Sequence, residues 1–161
     1  VWLFFSPIKK SRTDFIVEKA TELGVAEIFP TNSEFTNSER INQSRLQAHA
    51  IEAAEQCGGT YVPKVHTICK LIDTLEKWPK DRNIFFCNEK NLKPVRNLSS
   101  LPNGAWAIFI GPEGGFSQNE INHFLKHPKT FSVSLGPRIL RADTAVVSAL
   151  TLWQSNFGDW I

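Results

Sequence analysis

Short apolar runs alternate along this chain with longer runs patterned at helical spacing, and few folds accept that alternation. It is the signature of an α/β domain built on a mostly parallel sheet with flanking helices. The pattern predicts strands at 1–5 (VWLFF), 25–30, 62–68, 83–87, 105–110 and 131–135. It predicts helices at 11–23, 41–57, 71–78, 118–127 and 141–157, the third of them short. Ser11 is placed to cap the first helix, with Asp14 at the reciprocal position of a capping box. Gly24 ends that helix, the Gly58-Gly59 pair ends the second, and Pro128 ends the fourth. Segments 31–40 and 88–103 read as loops. No internal repeat or linker interrupts the pattern, so 1–161 is expected to form one domain.

Composition narrows the function classes. A chain of 161 residues is long enough to bury a real core. No apolar stretch reaches the roughly 18 residues needed to span a membrane. The formal net charge is only +2, so nucleic-acid binding requires lysines and arginines gathered on one face. Cys57, Cys69 and Cys87 are odd in number and form no CxxC pair, which argues against a disulfide framework or a zinc knuckle and fits a reducing cytoplasm. There is no methionine and the chain opens at Val1, so a fragment or a trimmed chain is expected.

Four motifs carry chemistry. The first, IGPEGG at 110–115, stands at the C-terminal end of an expected strand, where open α/β sheets bind ligands. Its glycines let backbone approach a ligand closely. It lacks the Gly-Lys-Ser/Thr of a phosphate loop and the G-x-G-x-x-G spacing of a dinucleotide site. The second, SLGPRILRADTA at 134–145, repeats the plan of strand, Gly-Pro, helix. Two such turns side by side present backbone N–H and C=O groups that can read an adenine edge, with Ile139 and Leu140 placed to sandwich its ring.

The third, KKSRTDFIVEKATELGV at 9–25, gathers Lys9, Lys10 and Arg12 at a helix start. Cations there oppose the helix dipole, which adds weight to a phosphate-binding role beside the alternative of a solvated charged turn. The fourth, AIEAAEQCGG at 50–59, presents Glu52 and Gln56 on one helix face, where an ordinary surface is the simpler explanation. His123 and His127 stand four apart but have no third ligand, so no metal is expected. Trp153 and Trp160 read as core or dimer contacts.

Taken in order, KATELGV, EAAEQCGG, IGPEGGFS and SLGPRILRADTA resemble the ribosomal RNA small-subunit methyltransferase E family over essentially the whole chain. The resemblance implies an S-adenosylmethionine-dependent enzyme that methylates N3 of a uridine in 16S rRNA, acts as a homodimer, and needs no metal. It implies a deep trefoil knot within 104–157, which nothing in composition or periodicity shows, and an N-terminal PUA-like RNA-binding domain that is absent here. By the same resemblance, S-adenosylmethionine is held by Asn88 and Glu89, by Ile110, Gly111, Glu113 and Gly114, by Ser134, Leu135 and Gly136, and by Ile139, Leu140 and Arg141.

RNA contacts are expected from Lys9, Lys10 and Arg12. Arg141 and Arg12 are assigned the anion and phosphate work, and Glu22 or Asp143 serves as base or positions an arginine. The chain departs from the family at two points. Gly59 stands where many relatives carry Arg, and Asp143 stands where Glu is common. Rival readings are a knotted methyltransferase acting on tRNA or on a ribose 2′-hydroxyl, a non-catalytic RNA-binding module, and a nucleotide enzyme using GPEGG for phosphate.

Overall fold

The computed structural model describes residues 1–37, 40–88 and 98–161. Its elements are β1 (Trp2–Phe5), α1 (Lys10–Glu22), β2 (Glu27–Asn32), α2 (Gln43–Gln56), β3 (Lys64–Val65), β4 (Cys69–Lys70), α3 (Leu71–Glu76), β5 (Arg82–Cys87), β6 (Ala105–Ile110), α4 (Gln118–Lys126), β7 (Thr130–Val133) and α5 (Ala142–Phe157), with a 3-10 turn at Leu98–Ser100. Among the described residues seven strands form one sheet in the order β3-β2-β1-β6-β5-β7, and β4 continues the edge beside β2. All the pairings are parallel.

The sheet is buried on both faces, as parallel sheets are, and its central strands therefore read as continuous apolar runs. Successive side chains go to opposite sides. Leu3, Phe5, Ile28, Phe85, Trp106, Ile108 and Ile110 face α1, α2 and α5, whose Ile16, Val17, Ala20, Leu46, Val146 and Leu150 complete that cluster. Phe4, Ile84, Phe86, Ala107 and Phe109 face α3 and α4, with Leu71, Leu75, Ile121 and Phe124. On this second face Phe4 stacks on Phe109 at 4.4 Å and Phe86 on Phe124 at 4.0 Å. Burying each such ring contributes about 1.5–3 kcal/mol.

Chain order reverses between β1 and β6, which are direct neighbours with Phe5 opposite Ile110. Ligand sites of open sheets gather outside the C-terminal strand ends at such a reversal. Here β1, β5, β6 and β7 deliver their C-terminal ends to the same edge.

Several expectations need correction. The Ser11–Asp14 capping box does not form, because α1 begins one residue earlier, with Lys9 at the N-cap and no side-chain cap. Thr13 fastens the entry instead, its hydroxyl accepting from Ile8 N and donating to Ile8 O at 3.0 Å each. Asp14 is drawn away by Arg45 of α2, whose Nη1 donates to its Oδ2 at 2.5 Å. The second strand starts and ends two residues later than predicted, because Thr31 and Asn32 pair with β4, a strand the sequence did not announce. The last strand ends at Val133, which leaves Ser134 and Leu135 to a turn.

Candidate functional site

A cavity of about 710 Å³, the solvent at its mouth included, opens at that strand edge. Its walls come from three chain segments. The end of β5 supplies Cys87 and Asn88. The turn after β6 supplies Ile110, Gly111, Pro112, Glu113, Gly115 and Phe116. The turn after β7 supplies Ser134, Leu135, Gly136, Arg138 and Leu140, and α5 closes the floor with Ala142 and Ala145.

Local chemistry explains each turn. After β6 the backbone folds back at once, with Gly115 N donating to Pro112 O at 2.8 Å. Phe116 is buried beneath, and a Cβ on Gly111 would lie 3.1 Å from its ring. The following helix is fixed by a capping box: Ser117 N donates to Glu120 Oε2 at 2.9 Å and Glu120 N to Ser117 Oγ at 3.3 Å. After β7, Ser134 Oγ accepts from Gly136 N at 3.2 Å and donates to Gly136 O at 3.3 Å. Gly136 has φ +118°, a conformation L side chains rarely adopt, and open space lies where its Cβ would stand.

The cavity is therefore apolar below and backbone-polar at the rim. Ile110, Leu135, Leu140, Ala142 and Ala145 provide the apolar wall, and the two turns provide N–H and C=O groups. Glu113 and Arg138 are the charged side chains in its lining, both exposed. Burial pushes the Cys87 thiol far above its ordinary value, so it stays neutral. Such walls suit a neutral planar ring held by backbone groups beside a polar tail.

The structure brings together eight of the residues expected to hold the methyl donor: Asn88, Ile110, Gly111, Glu113, Ser134, Leu135, Gly136 and Leu140. Three others stand outside the lining. Gly114 turns away from the cavity and lies under Phe35, whose Cβ would be 3.3 Å from a Cβ there. Ile139 is 78% exposed. Arg141 is the N-cap of α5, exposed, between two residues that do line the cavity. Glu89 lies outside the described residues.

The residues assigned to chemistry separate into two groups. Arg12 and Asp143 pair, Nη1 to Oδ2 at 3.0 Å and to Oδ1 at 3.3 Å. Glu22 stands at the opposite end of α1 from Arg12, about 15 Å away at 1.5 Å of rise per residue. There its Oε1 accepts from Lys19 Nζ at 2.8 Å, and hydrogen bonds to Glu18 and Glu22 hold the Lys19 ammonium above its ordinary value. Lys9 and Lys10 line a neighbouring recess with Pro7, Ile8, Asn37, Pro112 and Glu113. Glu52 and Gln56 are exposed on α2. His123 Nδ1 meets Asn119 O at 2.9 Å and His127 Nδ1 accepts from Lys129 N at 3.3 Å. Among the described residues no three His, Cys, Asp or Glu side chains stand close enough to hold a metal ion, and no helix is long and apolar enough to cross a membrane.

The sequence matches the model of the RNA methyltransferase domain over residues 1–154. The chain belongs to this RNA methyltransferase family. Within it, the chain is 32% identical over 146 residues to the ribosomal RNA small subunit methyltransferase E of Rickettsia conorii, an alignment that covers 89% of this chain and 59% of that protein. It is 33% identical over 159 residues to the protein of the same name from Buchnera aphidicola of Acyrthosiphon pisum, covering 94% and 62%. The chain thus spans about three fifths of the length of these curated relatives. The fold superposes with TM-score 0.90 on a ribosomal RNA small subunit methyltransferase E from Neisseria gonorrhoeae bound to S-adenosyl methionine, at 31% identity, covering 99% of this chain and 67% of that one.

Sequence reasoning named the GPEGG turn, which brings in Pro112 and Gly115, but missed Cys87, Phe116, Arg138, Ala142 and Ala145 in the lining of this methyltransferase domain. A signal existed for several. Cys87 closes an apolar strand, Phe116 directly follows GPEGG, and Arg138 sits inside the second Gly-Pro turn. Nothing local announced that Phe35 would pack on Gly114.

Proposed function

We propose that this chain is the S-adenosylmethionine-dependent methyltransferase part of a small-subunit ribosomal RNA methyltransferase, and that it methylates N3 of a uridine in 16S rRNA. The observation that carries the reading is the cavity between the two Gly-Pro turns, set at the C-terminal ends of β5, β6 and β7. Likeness to the Neisseria protein, whose structure holds S-adenosyl methionine, supports the choice of ligand. The residues present fit it: open space beside Gly136 for a ring, the Ile110–Leu140 apolar wall, and Glu113 as a carboxylate near a cationic ligand. The fold reading includes the knot, and the partner reading includes a second copy of the chain, which would cover the exposed Ile139.

When bound, the cofactor supplies an electrophilic methyl group on a sulfonium. To accept that methyl group a uridine N3 would first have to pass its proton to water, and the resulting anion is what the protein would have to hold. The protein's part is orientation and charge. Arg141, exposed beside the cavity, is placed to stabilise the uridine anion. Arg12 and Asp143 hold each other, so Asp143 acts here as a positioning residue that fixes the start of α5 and, through it, Arg141.

The test is incubation of 16S rRNA and small subunits with the protein and labelled S-adenosylmethionine, followed by digestion to nucleosides and mass spectrometry. Appearance of 3-methyluridine supports the proposal. A 2′-O-methyl nucleotide in its place would move the chain to another branch of knotted methyltransferases.

A further inference from the structure

We propose that single-stranded RNA reaches the cavity along two recesses that meet at Lys10, with phosphates on Lys9, Lys10 and Arg40 and one base stacked on Phe35. This rests on the methyltransferase reading above and adds the route of its substrate.

The first recess, lined by Lys9, Lys10, Asn37, Pro112 and Glu113, shares Pro112 and Glu113 with the cavity between the two Gly-Pro turns. The second, lined by Lys10, Arg40, Asn42 and Arg45, shares Ile8 and Lys10 with the first. The three openings therefore adjoin through shared lining residues, Lys10 between the two recesses and Glu113 between the first recess and the cavity, and the proposed route follows them in that order.

The cations along it divide by partner. Arg12 is held by Asp143 and Arg45 by Asp14. Lys9, Lys10 and Arg40 are exposed and form no ion pair among the described residues. Lys9 and Lys10 moreover occupy the N-cap and first position of α1, where a positive charge opposes the helix dipole. Stability does not explain them, and a polyanion does.

Phe35 stands beside this path, 43% exposed, on the outer surface of the GPEGG turn at Gly114. Its loop is rigidly fastened. Ser33 N donates to Thr36 Oγ1 at 2.9 Å, Ser33 Oγ meets Ser6 Oγ at 3.0 Å, and Glu34 N donates to Oε1 of Glu120, a carboxylate only 3% exposed. An exposed aromatic ring on a fastened loop, packed on Gly114 next to Glu113 and two residues before Asn37, both of which line the recess that holds the two lysines, suits an unpaired base followed by its phosphate. A duplex would keep its bases stacked inside and leave Phe35 unused.

The test is fluorescence anisotropy with a labelled oligouridylate of about ten nucleotides, beside calorimetric titration with S-adenosylmethionine. Arg40→Gln and Lys10→Gln are expected to weaken binding several-fold and each to flatten the salt dependence by about 0.7 in log–log slope. Phe35→Ala is expected to weaken it roughly tenfold while Phe35→Trp restores it. Lys126→Gln, an exposed cation on α4, should change nothing, and cofactor affinity should hold in all. Wild-type binding by Arg40→Gln and Phe35→Ala overturns the path. So does a wild-type chain that binds S-adenosylmethionine but no oligonucleotide. A folded wild type that binds neither overturns the path together with the methyltransferase reading beneath it.

Discussion

Arg12 and Asp143 stand 131 residues apart in sequence and 3.0 Å apart in space, guanidinium Nη1 to carboxylate Oδ2. The pair ties the first turn of α1, which carries the lysines, to the first turn of α5, which carries Arg141 at its cap. Both Asp143 oxygens are occupied, since Oδ1 also accepts from Thr144 N at 3.0 Å. Sequence reasoning gave Arg12 to anion and phosphate binding and Asp143 either to base work or to positioning an arginine. The geometry makes them a single brace.

A double-mutant cycle checks the brace. Arg12→Ala and Asp143→Ala should each destabilise the fold slightly, with a coupling of about 0.5–1 kcal/mol for a partly exposed pair. Urea midpoints of the two single variants and the double variant measure it. Additive losses would show that the pair contributes nothing jointly.

Arg141 is expected to act on the reaction and not on cofactor binding, because its side chain stands outside the cavity lining. Arg141→Ala should lower kcat roughly 100-fold while the S-adenosylmethionine Kd moves by less than about threefold. Single-turnover methylation and calorimetry separate the two effects.

Glu22 should be dispensable for methylation. It faces Lys19 at the far end of α1, and Glu22→Gln should cost under about 0.5 kcal/mol of stability and leave the turnover rate unchanged. A loss of activity with folding intact would bring Glu22 back as a functional group.

His127 gives a pH dependence. Burial, and then Lys129 nearby, push its imidazole below the ordinary 6.5, so the folded state prefers the neutral ring. The unfolded chain therefore takes up the proton first as pH falls. The contribution is fully present above 6.5 and is lost as pH drops through and below that value. The urea midpoint should fall between about pH 7.5 and about pH 5.5, and His127→Gln should reduce that fall.

What the sequence showed and what it concealed follow from the range of the interactions. β6 was legible to the residue because a continuous apolar run stops at Gly-Pro, and both ends of that signal are local. The two turns that wall the cavity were legible for the same reason. The strand expected at 62–68 shrinks to Lys64–Val65, and β4 lies beyond it at Cys69–Lys70; both are two residues long and held by pairing with β2, which periodicity does not report. Phe35 reaches Gly114 because Glu120, 86 residues away, holds Glu34 N. That Glu22 stands at the end of α1 away from Arg12 was not legible, because the KATELGV run fixes a helix but not which end of it meets the cavity. Ser11 looked like a cap until Thr13 took over the entry from Ile8.

The most direct test of the account is calorimetric titration of the purified chain with S-adenosylmethionine, beside Gly136→Ala and Gly136→Trp. Both variants carry the same backbone strain at φ +118°, but only the indole fills the space beside the turn. The account predicts one site per chain in the wild type, weakened binding in Gly136→Ala, and none in a folded Gly136→Trp. Equal binding by all three would place the cofactor elsewhere, and no binding by the folded wild type would contradict the assignment of this cavity.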